Sequence, residues 1–198
     1  MDFDNPPADP VAQVNSWLLE AKRPERENPH AMTLATVDPD GRPSARIVLL
    51  KQFDDDGAVF YTNRSSRKGI ALKATPFASL LLYWDPERRQ VLIEGRVTEV
   101  DDALSDSYFA KRPRAAQIGA WASEQSQPVE SRAVLDARVL EVAAQYGGGD
   151  IPRPPNWGGY RVSLERIEFW QGRDARLHDR IAYIRDEQGG WSAQRLYP

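Results

Sequence analysis

The chain opens with a single helical pattern of apolar positions. Asp9 and Pro10 can serve as the N-cap and the first helical residue. An apolar stripe at helical spacing follows them, at Val14, Trp17, Leu18 and Ala21. We therefore predict an amphipathic helix over residues 9–23, and we expect residues 1–8 to be disordered.

The pattern then changes to short apolar and β-branched segments separated by turn sequences. Turns such as Asp38-Pro-Asp-Gly41 and Asp54-Asp-Asp-Gly57 are typical of hairpins. We predict five strands before the middle of the chain, at 32–37, 44–51, 58–62, 77–84 and 89–100, with a helix at 66–74. Four more are predicted after it, at 160–165, 167–171, 181–185 and 191–196.

The middle of the chain returns to helical spacing. Residues 101–111 and 131–146 carry apolar positions with a period near 3.6, and Gly147 ends the second segment. We therefore expect a helical insertion over residues 101–146 in a single domain that covers 1–198. Many antiparallel strands with few helices indicate a mainly β fold with helices (α+β), an antiparallel closed or split β-barrel. A doubly wound parallel sheet is disfavoured.

Composition narrows the possible functions. The 198 residues include no cysteine and only two histidines, which leaves no basis for a cysteine nucleophile or a zinc site, so we expect no metal. The net charge of -3 disfavours a general nucleic-acid binder. No apolar run is long enough for a membrane span, and the first ten residues lack a signal-peptide pattern, so we expect a cytoplasmic protein that contacts no membrane.

Basic residues gather at the ends of predicted elements. Arg46 and Lys51 bracket the apolar strand 44–51, although strict alternation would place them on opposite faces. A bulge could redirect one of them, or a ligand or second subunit could close over both. Asn63-Arg-Ser-Ser-Arg-Lys68 precedes a helix, which makes it a candidate anion site at a helix N-terminus. Solvated strand ends and an ordinary capping serine would give the same patterns.

A third basic set lies near the end of the chain. If Arg176-Leu-His178-Asp-Arg180 is extended, Arg176, His178 and Arg180 share one face. His178 could then transfer a proton or bind an anion, whereas an isolated basic hairpin would be the alternative. A Ser-His-Asp hydrolase is disfavoured, because the sequence has no Gly-x-Ser-x-Gly elbow.

Together these segments resemble the pyridoxamine 5'-phosphate oxidase family from about Pro7 to Pro198. The matching motifs occur in the family's order and spacing: Arg46-Ile-Val-Leu-Leu-Lys51, Phe60-Tyr-Thr-Asn63, Ser66-Arg-Lys-Gly69, Arg89-Gln-Val91, Arg112-Pro-Arg114, Gln117-Ile-Gly-Ala-Trp121, Gln125-Ser126, Ile167-Glu-Phe-Trp-Gln-Gly172 and Arg176-Leu-His-Asp-Arg180.

The resemblance implies an FMN-binding split-barrel homodimer with FMN at the subunit interface. It would oxidise pyridoxamine 5'-phosphate or pyridoxine 5'-phosphate to pyridoxal 5'-phosphate, with O2 as acceptor and H2O2 as product. It assigns FMN binding to Arg46, Lys51, Tyr61, Thr62, Arg67, Lys68, Gln90, Gln125, Ser126, Trp170 and Arg180. It assigns the substrate to Lys51, Tyr108, Arg112, Arg176 and His178, of which Arg176 and His178 would be the catalytic pair.

Two departures from the family pattern bear on the substrate. Ala116 stands where the family usually has a serine that binds the substrate phosphate, so we expect the phosphate to be bound more weakly there. The residues before Pro7 do not contain the family's Arg- and Tyr-bearing segment, so we expect the site to lack that cover. The alternatives are a split-barrel FMN oxidase or reductase for another substrate, as in phenazine pathways, or a non-catalytic protein that binds FMN or pyridoxal phosphate.

Overall fold

The structure is a computed structural model that describes residues 1–24 and 26–198. Within these residues the strands pair antiparallel throughout, in the order β10-β9-β8-β6-β5-β1-β2, while β4 pairs with β3 and β7. Their bounds are β1 (Ala31–Val37), β2 (Pro43–Leu49), β3 (Gln52–Asp54), β4 (Gly57–Asn63), β5 (Phe77–Trp84), β6 (Arg89–Glu99), β7 (Trp157–Val162), β8 (Arg166–Gln171), β9 (Asp179–Arg185) and β10 (Trp191–Leu196).

Strand β6 joins the two parts of the barrel. Its residues 89–94 pair with β8, and its residues 97–99 pair with β7. Gly95 lies between these two sections, where a Cβ would come within 1.9 Å of the Ser163 carbonyl oxygen. Only glycine therefore lets β6 pass from one part to the other. This curled antiparallel sheet with helices confirms the predicted mainly β split barrel.

Five helices are described, α1 (Pro10–Glu20), α2 (Arg67–Ala74), α3 (Asp102–Ala110), α4 (Arg114–Ala122) and α5 (Arg132–Tyr146). Asp9 caps α1 by accepting hydrogen bonds from the N–H groups of Val11 and Ala12 at 2.8 and 3.1 Å. Trp17 from this helix is buried and meets Phe169 edge to face at 5.2 Å. The apolar stripe of α1 thus closes the main core, as the sequence pattern predicts. None of these helices combines the length and apolar character needed to cross a bilayer.

The first eight residues lie against the barrel, which differs from the expected disorder. Phe3 is buried, its carbonyl accepts a hydrogen bond from Arg195 at 3.0 Å, and the Pro7 carbonyl accepts one from the Tyr183 hydroxyl at 2.8 Å. These contacts come from β9 and β10, far along the chain. A local sequence pattern therefore gives no sign of them.

Several element boundaries differ from the prediction, and the structure adds two elements. Strand β2 ends at Leu49 rather than Lys51, because Leu50 N–H donates to the His30 carbonyl and Lys51 N–H donates to the Val59 carbonyl. The short β3 and the helix α4 were absent from the prediction. Lys51 therefore lies outside β2. The alternation of side chains along a strand, which would place Lys51 on the face opposite Arg46, does not apply to it.

Candidate functional site

A cavity of about 430 Å³ lies between β2, β4, α3 and α4. Four cationic side chains line it: Lys51, Lys68, Lys111 and Arg112. None of its described lining residues is a carboxylate. We call this the basic cavity. A concentration of positive charge without a counter-ion inside a concave site is typical of binding sites for anions.

Lys68 is the most enclosed of these cations. Its Nζ lies 3.2 Å from Thr62 Oγ1, 3.3 Å from Ser66 Oγ and 3.1 Å from Gln125 Oε1. Burial lowers the pKa of Lys68, and repulsion from Arg46 adds to the effect. A buried ammonium held by neutral oxygens alone gains most from a bound anion, so this group fits a phosphate.

Arg46 and Arg67 extend the positive charge beyond Lys68. The Arg46 guanidinium donates to Thr36 Oγ1 at 2.8 Å and to Ser44 Oγ at 2.6 Å. Arg67 donates to Asp38 through Nε at 2.9 Å and also contacts it through Nη2. Burial lowers the pKa of Arg46; the Asp38 carboxylate opposes this shift, and Arg67 adds to it. Ser126, at a left-handed φ of 75°, borders the same groove as Arg67.

Aromatic rings form the opposite wall of the basic cavity. The rings of Tyr61 and Tyr108 stack at 4.1 Å between centroids, and Trp157 lies nearly parallel to both. The Arg112 guanidinium lies 4.7 Å from the centroid of the Trp157 ring. Its Nη1 is buried and has no hydrogen-bond partner among the described residues, and burial lowers the pKa of Arg112. An unpartnered buried cation again favours an anionic ligand.

A second group of predicted site residues lies on β6, β8 and β9. Gln90, Trp170 and Arg180 stand directly opposite one another across the three strands, so they share one face. We call these three the strand row. The buried Glu168 carboxylate accepts hydrogen bonds from Arg180 Nε at 2.8 Å and Nη2 at 2.7 Å, which fixes the guanidinium.

The turn before β9 contradicts the prediction of an extended segment from Arg176 to Arg180. Arg176 ends a short 3-10 helix, Asp174–Arg176, in which Ala175 and Arg176 have left-handed φ values of 54° and 63°. Of Arg176, His178 and Arg180, only Arg180 lies within a strand, so alternation does not set the direction of Arg176. Left-handed conformations cost about 1–2 kcal/mol for each residue with a Cβ. Paired strain of this kind is often found at functional sites.

His178 lies between this turn and the strand row. Its ring is 4.7 Å from the Trp170 ring, measured between centroids, and its Nδ1 accepts a hydrogen bond from the Arg173 N–H at 3.1 Å. A neutral imidazole that accepts at Nδ1 carries its proton on Nε2. His178 therefore has one N–H to offer a ligand.

The strand row is separate from the basic cavity within one chain. None of Gln90, Trp170 and Arg180 is among the residues that line the cavity. Tyr61 and Val100 both lie within about 3 Å of where a Cβ on Gly159 would be, so the cavity wall adjoins the C-terminal end of β6, whereas Gln90 lies at the other end of that strand.

Sequence reasoning missed several residues of these two groups. Lys111 and Trp157 line the basic cavity, and Glu168 orients Arg180. Lys111 directly precedes the predicted Arg112, but the sequence gives no sign that both face the same space. The parallel stacking of Trp157 on Tyr108 depends on tertiary packing between β7 and α3.

Comparison with known proteins decides the family. A family profile described as pyridoxamine 5'-phosphate oxidase matches residues 18–146. The chain belongs to the pyridoxamine 5'-phosphate oxidase family. A second profile, described as the pyridoxine 5'-phosphate oxidase C-terminal dimerisation region, matches residues 157–198, which include β8, β9 and the turn between them. The resemblance read from the motifs is thereby confirmed.

Relatives within the family are similar over nearly their whole length. Pyridoxine/pyridoxamine 5'-phosphate oxidase from Myxococcus xanthus is 53% identical over 192 residues, 97% of this chain and 93% of the relative. The enzyme of that name from Bordetella petrii is 55% identical over 195 residues, 98% of this chain and 92% of the relative. Among solved structures, PhzG from Burkholderia lata in complex with tetrahydrophenazine-1-carboxylic acid has a TM-score of 0.91 at 35% identity, covering 99% of this chain and 96% of that one.

Proposed function

We propose that this protein is an FMN-dependent pyridoxine/pyridoxamine 5'-phosphate oxidase. It converts the CH2OH group of pyridoxine 5'-phosphate, or the CH2NH2 group of pyridoxamine 5'-phosphate, to the aldehyde of pyridoxal 5'-phosphate. O2 is reduced to H2O2, and the amine reaction also consumes water and releases ammonia. The observation that carries the proposal is the basic cavity, which offers four cations and no carboxylate to phosphorylated ligands.

The residues around Lys68 fit the phosphate end of FMN. Lys68, Thr62 and Gln125 already converge, and Arg46, Arg67 and Ser126 border them. Lys51 and Tyr61 line the same cavity, between this cluster and the substrate side. The chemistry that FMN supplies when bound is a two-electron oxidation with O2 as the final acceptor.

Two chains are needed to complete each site. The strand row belongs to the proposed FMN-binding set, yet none of its three residues lines the basic cavity. We therefore place FMN between two subunits of a homodimer, with Gln90, Trp170 and Arg180 approaching from the neighbouring chain. The match of residues 157–198 to a dimerisation region supports this arrangement.

Two sets of side chains position the substrate. Lys51, Tyr108 and Arg112 hold its phosphate, and the buried unpartnered Nη1 of Arg112 becomes satisfied there. Arg176 and His178 orient the reacting carbon, and His178 Nε2–H donates a hydrogen bond to the substrate's oxygen or nitrogen. Holding both ends of the substrate raises the fraction of bound molecules in the reactive geometry.

A turnover assay tests this function. Purified protein is mixed with FMN and pyridoxine 5'-phosphate, and both H2O2 and pyridoxal 5'-phosphate are followed. We expect the two products in equal amounts. Bound FMN without either product would favour a non-catalytic FMN-binding protein, and a failure to bind FMN would exclude both proposals. A cytoplasmic location stays a prediction, which cell fractionation checks.

A second candidate is oxidation of a phenazine precursor. It is favoured by the similarity to PhzG, whose solved complex contains tetrahydrophenazine-1-carboxylic acid. That ligand has a carboxylate but no phosphate, so it would leave part of the basic cavity unpaired. Parallel assays with both compounds discriminate the two functions, and we expect a higher kcat/KM for pyridoxine 5'-phosphate.

A further inference from the structure

Among the four cations of the basic cavity, Lys111 is the one that has no role in the proposed function. It follows helix α3, and its N–H donates to the Tyr108 carbonyl at 3.2 Å, while the Arg112 N–H donates to the Phe109 carbonyl at 3.1 Å. This tight turn places Tyr108, Lys111 and Arg112 along one wall of the cavity. Lys111 is therefore a neighbour of two residues proposed to bind the substrate phosphate.

The charge of Lys111 is not cancelled nearby. Across residues 1–24 and 26–198, no carboxylate lies within ion-pair distance of its ammonium, whereas the nearby Asp106 is paired with Arg153 at 2.6 Å. Lys68, by contrast, donates hydrogen bonds to Thr62, Ser66 and Gln125. Lys111 thus has both a free charge and access to the space beside Arg112.

The start of α4 offers no hydroxyl to this part of the cavity. Ala116 lines the cavity from the first turns of α4 and presents only a methyl group, and the Pro113 N-cap of α4 makes no side-chain hydrogen bond. A phosphate dianion beside Arg112 has acceptor sites left after Lys51, Tyr108 and Arg112 have each donated to it. A lysine ammonium on a flexible stem can fill such a position.

We propose that Lys111 binds the phosphate of the B6 substrate and takes the place of the hydroxyl that Ala116 cannot supply. The inference rests on the proposed function, because it concerns the substrate of that site. It reverses the expectation of weaker phosphate binding, because a donor with a full positive charge replaces a neutral hydroxyl donor. The bond is partly exposed, so it weakens as salt is added.

A structural role for Lys111 gives different consequences. A cation that follows a helix stabilises the negative end of the helix dipole, here that of α3. Loss of that role would lower the melting temperature and leave the affinity for phosphorylated ligands unchanged. A phosphate-binding role changes affinity for the phosphorylated ligand only.

The test compares holoenzyme variants in their binding of 4'-deoxypyridoxine 5'-phosphate. This analogue has neither an oxidisable CH2OH at that position nor an aldehyde that reacts with lysines, and binding is followed by calorimetry. We expect Lys111→Gln to weaken binding about five- to tenfold at low salt, with no change for unphosphorylated 4'-deoxypyridoxine. Lys73→Gln removes the same charge from an exposed position in α2 and should have no effect.

A double-mutant cycle with Ala116→Ser sharpens the result. Serine should restore part of the affinity in the Lys111→Gln protein but add little when Lys111 is present, because both groups serve one phosphate. Equal effects of serine in both backgrounds, equal binding by Lys111→Gln and Lys73→Gln, or a loss of FMN rather than analogue binding would each overturn the proposal.

Failure of the proposed function has a separate signature. A parent enzyme that binds the analogue but produces no H2O2 from pyridoxine 5'-phosphate would refute the oxidase function, and the binding comparison would still report on Lys111. A parent holoenzyme that does not bind the analogue would overturn both. Turnover in the parent with a normal KM in Lys111→Gln would overturn the role of Lys111 alone.

Discussion

The basic cavity and the strand row with its adjoining turn are built in opposite ways. The cavity residue Lys68 is buried and held by three neutral oxygens, so its position is set before any ligand arrives. Arg176 is exposed and lies in a strained left-handed turn. The difference agrees with the proposed function, in which the preorganised region receives phosphates and the turn meets a second subunit.

The strongest test of this comparison damages each region by a substitution and places the two substitutions in different chains of the dimer. Arg112→Ala removes a cation of the basic cavity, and Arg176→Ala removes the proposed orienting residue of the turn. We expect each homodimer to be nearly inactive. A purified heterodimer of the two variants should regain about half of the parent activity, because one of its two sites is assembled entirely from intact residues.

A control heterodimer checks that recovery needs damage in different regions. Arg112→Ala paired with Lys51→Ala leaves a damaged basic cavity in both chains and should stay inactive. If each site were contained in one chain, the Arg112→Ala and Arg176→Ala heterodimer would stay inactive as well. That outcome would refute the site between subunits.

The second prediction separates catalysis from flavin binding within one region. Arg176→Ala should lower kcat about 100-fold while FMN stays bound, since misplacement of a substrate costs rate rather than cofactor affinity. Stopped-flow kinetics and the absorbance of bound FMN measure the two effects. Arg42→Ala is the control, because Arg42 is an exposed arginine that pairs with its neighbour Asp40 in the β1–β2 turn. An unchanged kcat in Arg176→Ala would contradict the assigned role.

The same contrast explains what the sequence could predict. The α1 stripe, the Asp9 cap and the exact spans of β5 and β10 follow from local periodicity and turn residues, and these predictions are confirmed. The basic segment near Lys68 could be found too, because a strand followed by a capped helix is a local pattern.

Other features depend on contacts that no local pattern records. The early end of β2 follows from hydrogen bonds of Leu50 and Lys51 to other segments, and the ordered position of Phe3 follows from β10. The extended interpretation of residues 176–180 was wrong, because consecutive left-handed residues without glycine have no sequence signature. Lys111 escaped notice because its cavity is formed by elements distant in the chain.

The smallest expected effect concerns the pH dependence of FMN binding. Burial lowers the pKa of Lys68 below its usual value of 10.5, and Arg46 contributes by repulsion. A phosphate favours the charged ammonium, so binding is strongest below the lowered pKa and is lost as pH rises through it. Above that pKa, the Kd for FMN should rise by up to about tenfold for each pH unit. The fluorescence of released FMN measures this rise.

Lys68→Arg is the matched variant for this profile. A guanidinium keeps its charge above pH 12, so the part of the loss that Lys68 causes should disappear in Lys68→Arg. Any loss that remains belongs to the flavin or to other groups of the protein. Superimposable profiles for the parent and the variant would show that Lys68 does not hold the FMN phosphate, and the preorganised character of the basic cavity would then need another ligand to explain it.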